Sequence, residues 1–377
     1  VYCDHWQNGG AESYLMNQFW HWDLSLLRVT LVTAEKTTGL YDEELRRLGI
    51  CHVVLLGTVY ASPVRRILNN LSHCRRYFWQ NPCDIAYFNL TNSVTMLYVL
   101  FAKQAGVPKR IVHSHCSGIQ QGGARWLKSV GHRLARGLLA NKATDWWACS
   151  DLAAKHLFPP AVLPKVVYIP NAIDTQAFRF DPAARQRLRA GWQLQNAFLV
   201  GTVGRCAPEK NQGFLLEAFA LLRQRRPDAR LLLVGDGPLL PELKQKAEAL
   251  GIRGDCIFYG FAKAQDIPGL LSAMDVFCLP SKFEGFGIAL IEAQANGLPC
   301  VASDAIPQAA RLCGQSRMLP AAQSFVQQWA DALAAAPMTD RPAGQRIAEE
   351  AGFAIAGCAK AVQGRLIGNA GKREAPL

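Results

Sequence analysis

The chain has 377 residues, half of them apolar, and a formal net charge of +12 at pH 7. That length exceeds one hydrophobic core and predicts two domains, while the apolar and aromatic content excludes the disordered class. No run of about 18 apolar residues predicts a membrane-spanning helix, the first residues do not read as a secretory signal, and the 12 cysteines contain no C-x-x-C pair, which argues for a reducing cytoplasm and against zinc.

In chain order, Val1-Tyr2-Cys3 stands directly before Asn8-Gly9-Gly10, which reads as the end of a first strand most of which is missing. Strands follow at Val29–Thr33, Val53–Leu56, Ile85–Phe88, Arg110–Ser114 and Trp146–Ala148, with helical segments between most of them. Residues 121–142 carry Arg125, Lys128, Arg133, Arg136 and Lys142 and no acid, with Trp126, Leu127, Val130, Leu134 and Leu138 at helical spacing. Such a basic amphipathic stretch suits peripheral contact with an anionic membrane surface or a lipid phosphate. It equally suits a packed helix with a solvated basic face. Nucleic acid is a poorer partner, since no zinc-finger spacing, RNP-type aromatic motif or basic region joined to heptads is present.

Ile169-Pro170-Asn171-Ala172-Ile173-Asp174 and the arginine-rich stretch to Arg189 place a domain boundary near 175–195. Strands resume at Phe198–Val203, Arg230–Val234, Cys256–Tyr259, Val276–Leu279 and Pro299–Ala302, so both halves read as α/β layers on parallel sheets. A last helix is expected over Gly352–Leu366, after a stretch of low pattern at Ala336–Gly344, and a frayed tail beyond Asn369.

Chemistry concentrates in two segments. Ser281-Lys282-Phe283-Glu284-Gly285-Phe286-Gly287-Ile288-Ala289-Leu290-Ile291-Glu292 follows a buried strand. A strand, a glycine turn and a helix start make an anion site, with unpaired amides near Gly287–Ala289. Were Glu284 and Glu292 both helical, roughly 12 Å along the axis would separate them, beyond the roughly 5 to 9.5 Å of a glycosidase pair. They suit instead two carboxylates accepting from different hydroxyls of one extended ligand. The second segment, Val203-Gly204-Arg205-Cys206-Ala207-Pro208-Glu209-Lys210-Asn211, sets two cations on one loop at a strand's C-terminal end, where they can neutralise a diphosphate.

Gly204-Arg205 with Lys210, Gly235-Asp236-Gly237-Pro238, Glu284 with seven residues before Glu292, Gly9-Gly10-Ala11-Glu12 and Pro170-Asn171-Ala172-Ile173-Asp174 together resemble the retaining glycosyltransferases of family 4 over nearly the whole chain. Val112-His113-Ser114-His115 adds similarity to bacterial exopolysaccharide and capsule sugar transferases. The resemblance implies an α/β, GT-B fold: two Rossmann-like doubly wound parallel-sheet domains facing across a cleft. It implies an acceptor-side domain over 1–175, a nucleotide-sugar domain over 176–351, and a segment 352–377 whose helix returns to the first domain.

By the same resemblance Arg205 and Lys210 hold the donor diphosphate, Glu292 the ribose and Glu284 the transferred sugar. Gly204, Gly285, Phe286, Gly287 and Ile288 complete the donor site, Gly9 and Gly10 form its opposite lip, and Gly260 and Phe261 meet the nucleobase. No cofactor and no divalent metal are expected beyond the nucleoside diphosphate sugar itself, expected to be UDP-linked. The acceptor is expected to be a glycan or glycolipid, a lipid-linked glycan of exopolysaccharide, capsule or lipopolysaccharide assembly, met on the inner face of the cell membrane.

His113 and His115 compete for the acceptor-side role because, two apart on one strand, they share a face. His115, at the strand end, is preferred. The chain departs from the pattern of the family it resembles at Phe286-Gly287, where close bacterial members often carry Leu-Pro, and at Cys116, which stands after His115 in place of a polar amide; both changes bear on sugar preference more than on reaction type. The alternatives are a non-catalytic nucleotide-sugar-binding subunit and a nucleotide-sugar epimerase on the same fold. A nicotinamide dehydrogenase is discounted because Gly235-Asp236-Gly237-Pro238 lacks a third glycine and its proline removes an N–H.

Overall fold

The computed structural model describes residues 1–4, 6, 10–35, 41–56, 63–118, 125–312, 314, 316–337 and 339–368, with backbone alone at 63–64 and 125–128. It forms two compact units, one of Val1–Asn171 with the segment from Ile355 onward, the other Ala172–Ala354.

The first unit contains strands β1 (Tyr2–Cys3), β2 (Thr30–Glu35), β3 (Cys51–Leu56), β4 (Ile85–Leu90), β5 (Lys109–Ser114), β6 (Asp145–Ala148) and β7 (Val167–Tyr168). They form one sheet in the order β3-β2-β1-β4-β5-β6-β7, every pair parallel. Short as it is, β1 sits centrally, with Cys3 opposite Thr33 on one side and Asn89 on the other. The second unit contains β8 (Phe198–Val203), β9 (Ala229–Val234), β10 (Cys256–Gly260), β11 (Val276–Leu279), β12 (Cys300–Ser303) and β13 (Ser316–Leu319), again all parallel, in the order β10-β9-β8-β11-β12-β13. Both are Rossmann-like sheets. Each order runs outward from a first strand and then reverses, between β1 and β4 and between β8 and β11, and in such sheets ligands bind beyond the C-terminal strand ends at the reversal.

Local chemistry explains the helix starts. Asp181 accepts from the amides of Ala183 and Ala184 at 2.9 and 3.0 Å, ahead of Pro182 at the first turn of helix Pro182–Gly191. This helix lies in the arginine-rich stretch near the expected domain boundary. It folds as part of the second unit, where Asp275 receives Arg185 at 2.5 Å and the buried Arg189 at 3.0 Å, which compensates the charge. The apolar side of helix Gln212–Arg225 (Phe214, Leu215, Phe219, Leu222) packs on β8, β9 and β11 residues and on Trp329, and Cys278 and Cys300 are free thiols buried in that sheet.

The C-terminal segment differs from its expected form. Helix Ala343–Glu350 begins at the end of the low-pattern stretch Ala336–Gly344 and fills the interval before the expected last helix, and Gly352 ends it at φ +83°, its amide bonded to the Glu349 carbonyl. The last helix starts at Ile355 and runs to Ile367. It docks on the first unit: Gln363 accepts from the Asp23 amide at 3.0 Å and donates to the Asp23 carbonyl at 2.8 Å, while Lys109 donates to the Leu366 carbonyl at 3.0 Å. The tail 369–377 lies outside the described residues. No helix among the described residues is long and apolar enough to cross a membrane.

Candidate functional site

In the second unit the expected site residues lie at or beyond the C-terminal ends of β10, β8 and β11, and the Gly235–Pro238 turn follows β9 between β10 and β8. Sheet bonding continues past the strands: the Gly204 amide donates to Val234 at 2.9 Å and the Gly235 amide to Gly260 at 2.8 Å. The Arg205 loop then lies on the Gly235–Pro238 turn, the Cys206 amide donating to Asp236 at 2.9 Å and the Leu239 amide to Cys206 at 3.0 Å. Gly235 makes this contact possible, since a Cβ there would stand 2.0 Å from the Gly204 carbonyl oxygen. The turn dismissed as a dinucleotide motif is thus the ledge that carries the Arg205 loop.

On that loop Arg205 is exposed and has no ion-pair partner among the described residues, while its carbonyl accepts from the Gln212 side chain at 2.8 Å. Lys210 is different. Its ammonium lies 2.6 Å from Glu284 Oε1, which also accepts from Ser281 Oγ at 2.7 Å. The structure therefore joins two residues that the sequence assigned to separate parts of a ligand. Ser281, fully buried, is a partner that no spacing pointed to.

Gly287 adopts φ +94° and opens helix Ile288–Ala295. The amides of Gly287, Ile288 and Ala289 donate to no backbone carbonyl among the described residues, leaving a ready anion site. Glu284 precedes this helix, so it and Glu292 do not share an axis. Gln294 anchors the helix by donating to the Leu290 and Ala310 carbonyls and accepting from Leu312 and Ser316. Glu292, two residues earlier, has no partner among the described residues, and burial pushes its carboxyl up to about 7. Phe286 turns inward onto Phe353, with ring centroids 5.8 Å apart, leaving only its backbone for a ligand. Phe261, just after Gly260, is 46% exposed.

In the first unit Gly9 lies outside the described residues, and Gly10 begins helix Gly10–His21. His113 is fully buried, its Nδ1 2.7 Å from the Tyr87 hydroxyl, which in turn lies 3.2 Å from that of Tyr14. His115 is partly exposed, and its Nε2 lies 2.9 Å from Asn89 Oδ1. Burial drives both imidazoles down, His115 to about 3 and His113 well below the usual range, the latter also through His115.

Of the basic stretch, 121–124 and the side chains of Arg125, Trp126, Leu127 and Lys128 lie outside the described residues. Helix Arg125–Leu139 docks through buried His132, which bonds Ser93 at 2.8 Å and stacks on His156 at 4.4 Å. Val130, Leu134 and Leu138, one turn apart, are instead 46%, 60% and 68% exposed, so this apolar stripe faces outward beside exposed Arg133. Among the described residues no three His, Cys, Asp or Glu are grouped to hold a metal ion.

Two family models match the chain, glycosyl transferase 4-like domain over residues 9–172 and glycosyl transferases group 1 over 184–336. EpsF of Bacillus subtilis strain 168, named as a glycosyltransferase, is 31% identical over 90% of this chain and 88% of its own. The GDP-mannose-dependent alpha-(1-6)-phosphatidylinositol monomannoside mannosyltransferase of Mycolicibacterium smegmatis is 29% identical over 78% and 77%. In fold the chain is similar to HepE of Anabaena in complex with UDP-glucose, with a TM-score of 0.77 at 21% identity, covering 97% of this chain and 98% of that one.

Proposed function

The chain belongs to the family-4-type glycosyltransferases of GT-B fold, and from that premise we propose that its second unit holds a UDP-linked sugar and transfers it with retention to a hydroxyl of a lipid-linked glycan. One observation carries this reading. At the β8/β11 reversal a guanidinium (Arg205), helix amides (Gly287–Ala289) and a carboxylate (Glu292) that are unpaired among the described residues follow neighbouring strands.

Arg205, Lys210 and the amides of Gly287 and Ile288 take the diphosphate, and their positive charge grows in value as the glycosidic bond opens and the leaving oxygens become more negative. These donors supply the compensation that a divalent ion would otherwise give, so transfer proceeds with a chelator present. Glu292 accepts from the ribose hydroxyls, Glu284 meets the sugar, and exposed Phe261 stacks on the base. His115, in the first unit, provides the acceptor-side polar group. The complex of HepE with UDP-glucose supports the choice of base, and the phosphatidylinositol mannoside in the mycobacterial relative's name supports a lipid-linked acceptor.

Working on such an acceptor, the enzyme sits on the cytoplasmic face of the membrane, Val130, Leu134 and Leu138 entering the headgroup boundary and Arg133 meeting anionic lipid. Leu134→Asp with Leu138→Asp abolishes co-sedimentation with phosphatidylglycerol vesicles; undiminished co-sedimentation rules this contact out. For the site itself, Arg205→Ala loses at least a hundredfold in transfer while melting like the parent. Transfer at the parental rate would remove Arg205 from the reaction.

A further inference from the structure

The side chain of Asn89 bridges three strands at the reversal of the first sheet. It sits on β4, opposite Cys3 of β1 and His113 of β5. Its Nδ2 donates to the Tyr2 carbonyl of β1 at 3.3 Å, and its Oδ1 lies 2.9 Å from Nε2 of His115. A carbonyl can only accept, so the contact with Tyr2 fixes which end of the amide faces β5. The end facing His115 is then the oxygen, and His115 Nε2 must carry the proton. The imidazole's other nitrogen, Nδ1, is buried and has no hydrogen-bond partner among the described residues.

We propose that Asn89 is a positioning residue that locks His115 as the neutral Nε2–H tautomer, so that His115 meets a ligand as a hydrogen-bond acceptor at Nδ1 and the group it receives is a hydroxyl donor. The rings facing His115 are His113, 4.0 Å away, and Tyr14, 4.9 Å away. Neither brings a negative charge, and burial alone holds the imidazole down at about 3, so the locked tautomer persists through the working pH range. The proposal rests on the acceptor-side reading of His115 for its catalytic consequence, but not for the tautomer.

The test uses the full chain labelled with 15N in its imidazoles, the His115 signals being identified by their loss in His115→Gln. The parent shows His115 neutral, with the proton on Nε2, from pH 6 to 8. Asn89→Asp offers the same acceptor with a negative charge, raises the His115 pKa, and gives kcat a new pH-dependent limb between pH 6 and 8. Asn89→Leu releases the tautomer and lowers kcat by about tenfold, the equivalent of one hydrogen bond, with the KM for donor near the parental value. A proton on Nδ1 in the parent, or His115 15N signals that neither Asn89 variant changes, overturns the proposal, as does parental kcat with a flat pH profile in both Asn89 variants where His115→Gln itself lowers kcat. Should His115→Gln keep parental kcat while the 15N signals follow Asn89 as described, the catalytic reading of His115 fails and the positioning of its ring by Asn89 stands.

Discussion

Glu284→Gln is expected to tighten the binding of free UDP while slowing sugar transfer. In the structure Lys210 is held 2.6 Å from Glu284, with side-chain exposures of 24% and 12%. At an effective dielectric constant of about 20 the bare attraction is about 6 kcal/mol, most of which desolvation and side-chain ordering cancel. Exposed pairs retain about 0–1 kcal/mol, whereas breaking a buried one costs about 3–5; this half-sheltered pair falls between, at about 1–2 kcal/mol. A diphosphate must draw Lys210 away against that hold. The isosteric amide removes it and also takes a negative charge from beside an anion. UDP affinity should therefore rise about 5- to 30-fold, read by titration calorimetry. The parental enzyme should lose this handicap in high salt less than an exposed pair would. A variant that binds UDP within twofold of the parent, or more weakly, refutes the argument that Lys210 is shared between the carboxylate and the phosphate.

Glu292 links the donor site to pH. Its folded pKa of about 7 lies above the ordinary 4.5, so between those values the unfolded chain holds fewer protons, and folding loses stability as pH rises from about 4.5 to 7. Glu292→Gln should raise stability at pH 8 by about 2–3 kcal/mol and leave it unchanged at pH 4, as measured by urea unfolding; an equal gain at both pH values would contradict the assignment. In the parent, UDP binding should weaken as pH falls below 7, a dependence that Glu292→Gln removes along with most of the affinity. Gly235→Ala drives a methyl into the Gly204 carbonyl and should cost more than about 2 kcal/mol and abolish donor binding, whereas parental melting would show that the two loops part freely.

The sheets were legible wherever a buried apolar run announced a strand: Phe198–Val203 and Val276–Leu279 keep their expected bounds, and others shift by one or two residues. What the sequence hid was short or marginal. Val167–Tyr168 is two residues long at an edge, Ser316–Leu319 carries an exposed Arg317, and Ala343–Glu350 reads as polar because only Gly344 and Ala348 are buried. Gly352 was read as a helix start and is a helix stop. At the site, glycine turns after strands fixed the location of Arg205 and Glu284. Their electrostatic partners were invisible, because Lys210 and Glu284 stand 74 residues apart and meet only through the β8–β11 adjacency. Asn89 belongs to no motif at all; its role follows from a three-strand register that sequence spacing does not encode.

The chain crosses between its two units twice, after Asn171 and after Ala354, and these crossings are neighbours. Ile173 pairs in parallel with Ala354, and its amide donates to the Phe353 carbonyl at 3.0 Å. The second unit is thus a continuous insert whose entrance and exit are stitched together by the main chain. Such an insert has the ends of a cassette. Recombination could exchange it whole between related enzymes, and with the second unit holding the donor as proposed, the exchange would recast which activated sugar is delivered while the first unit stays as it was.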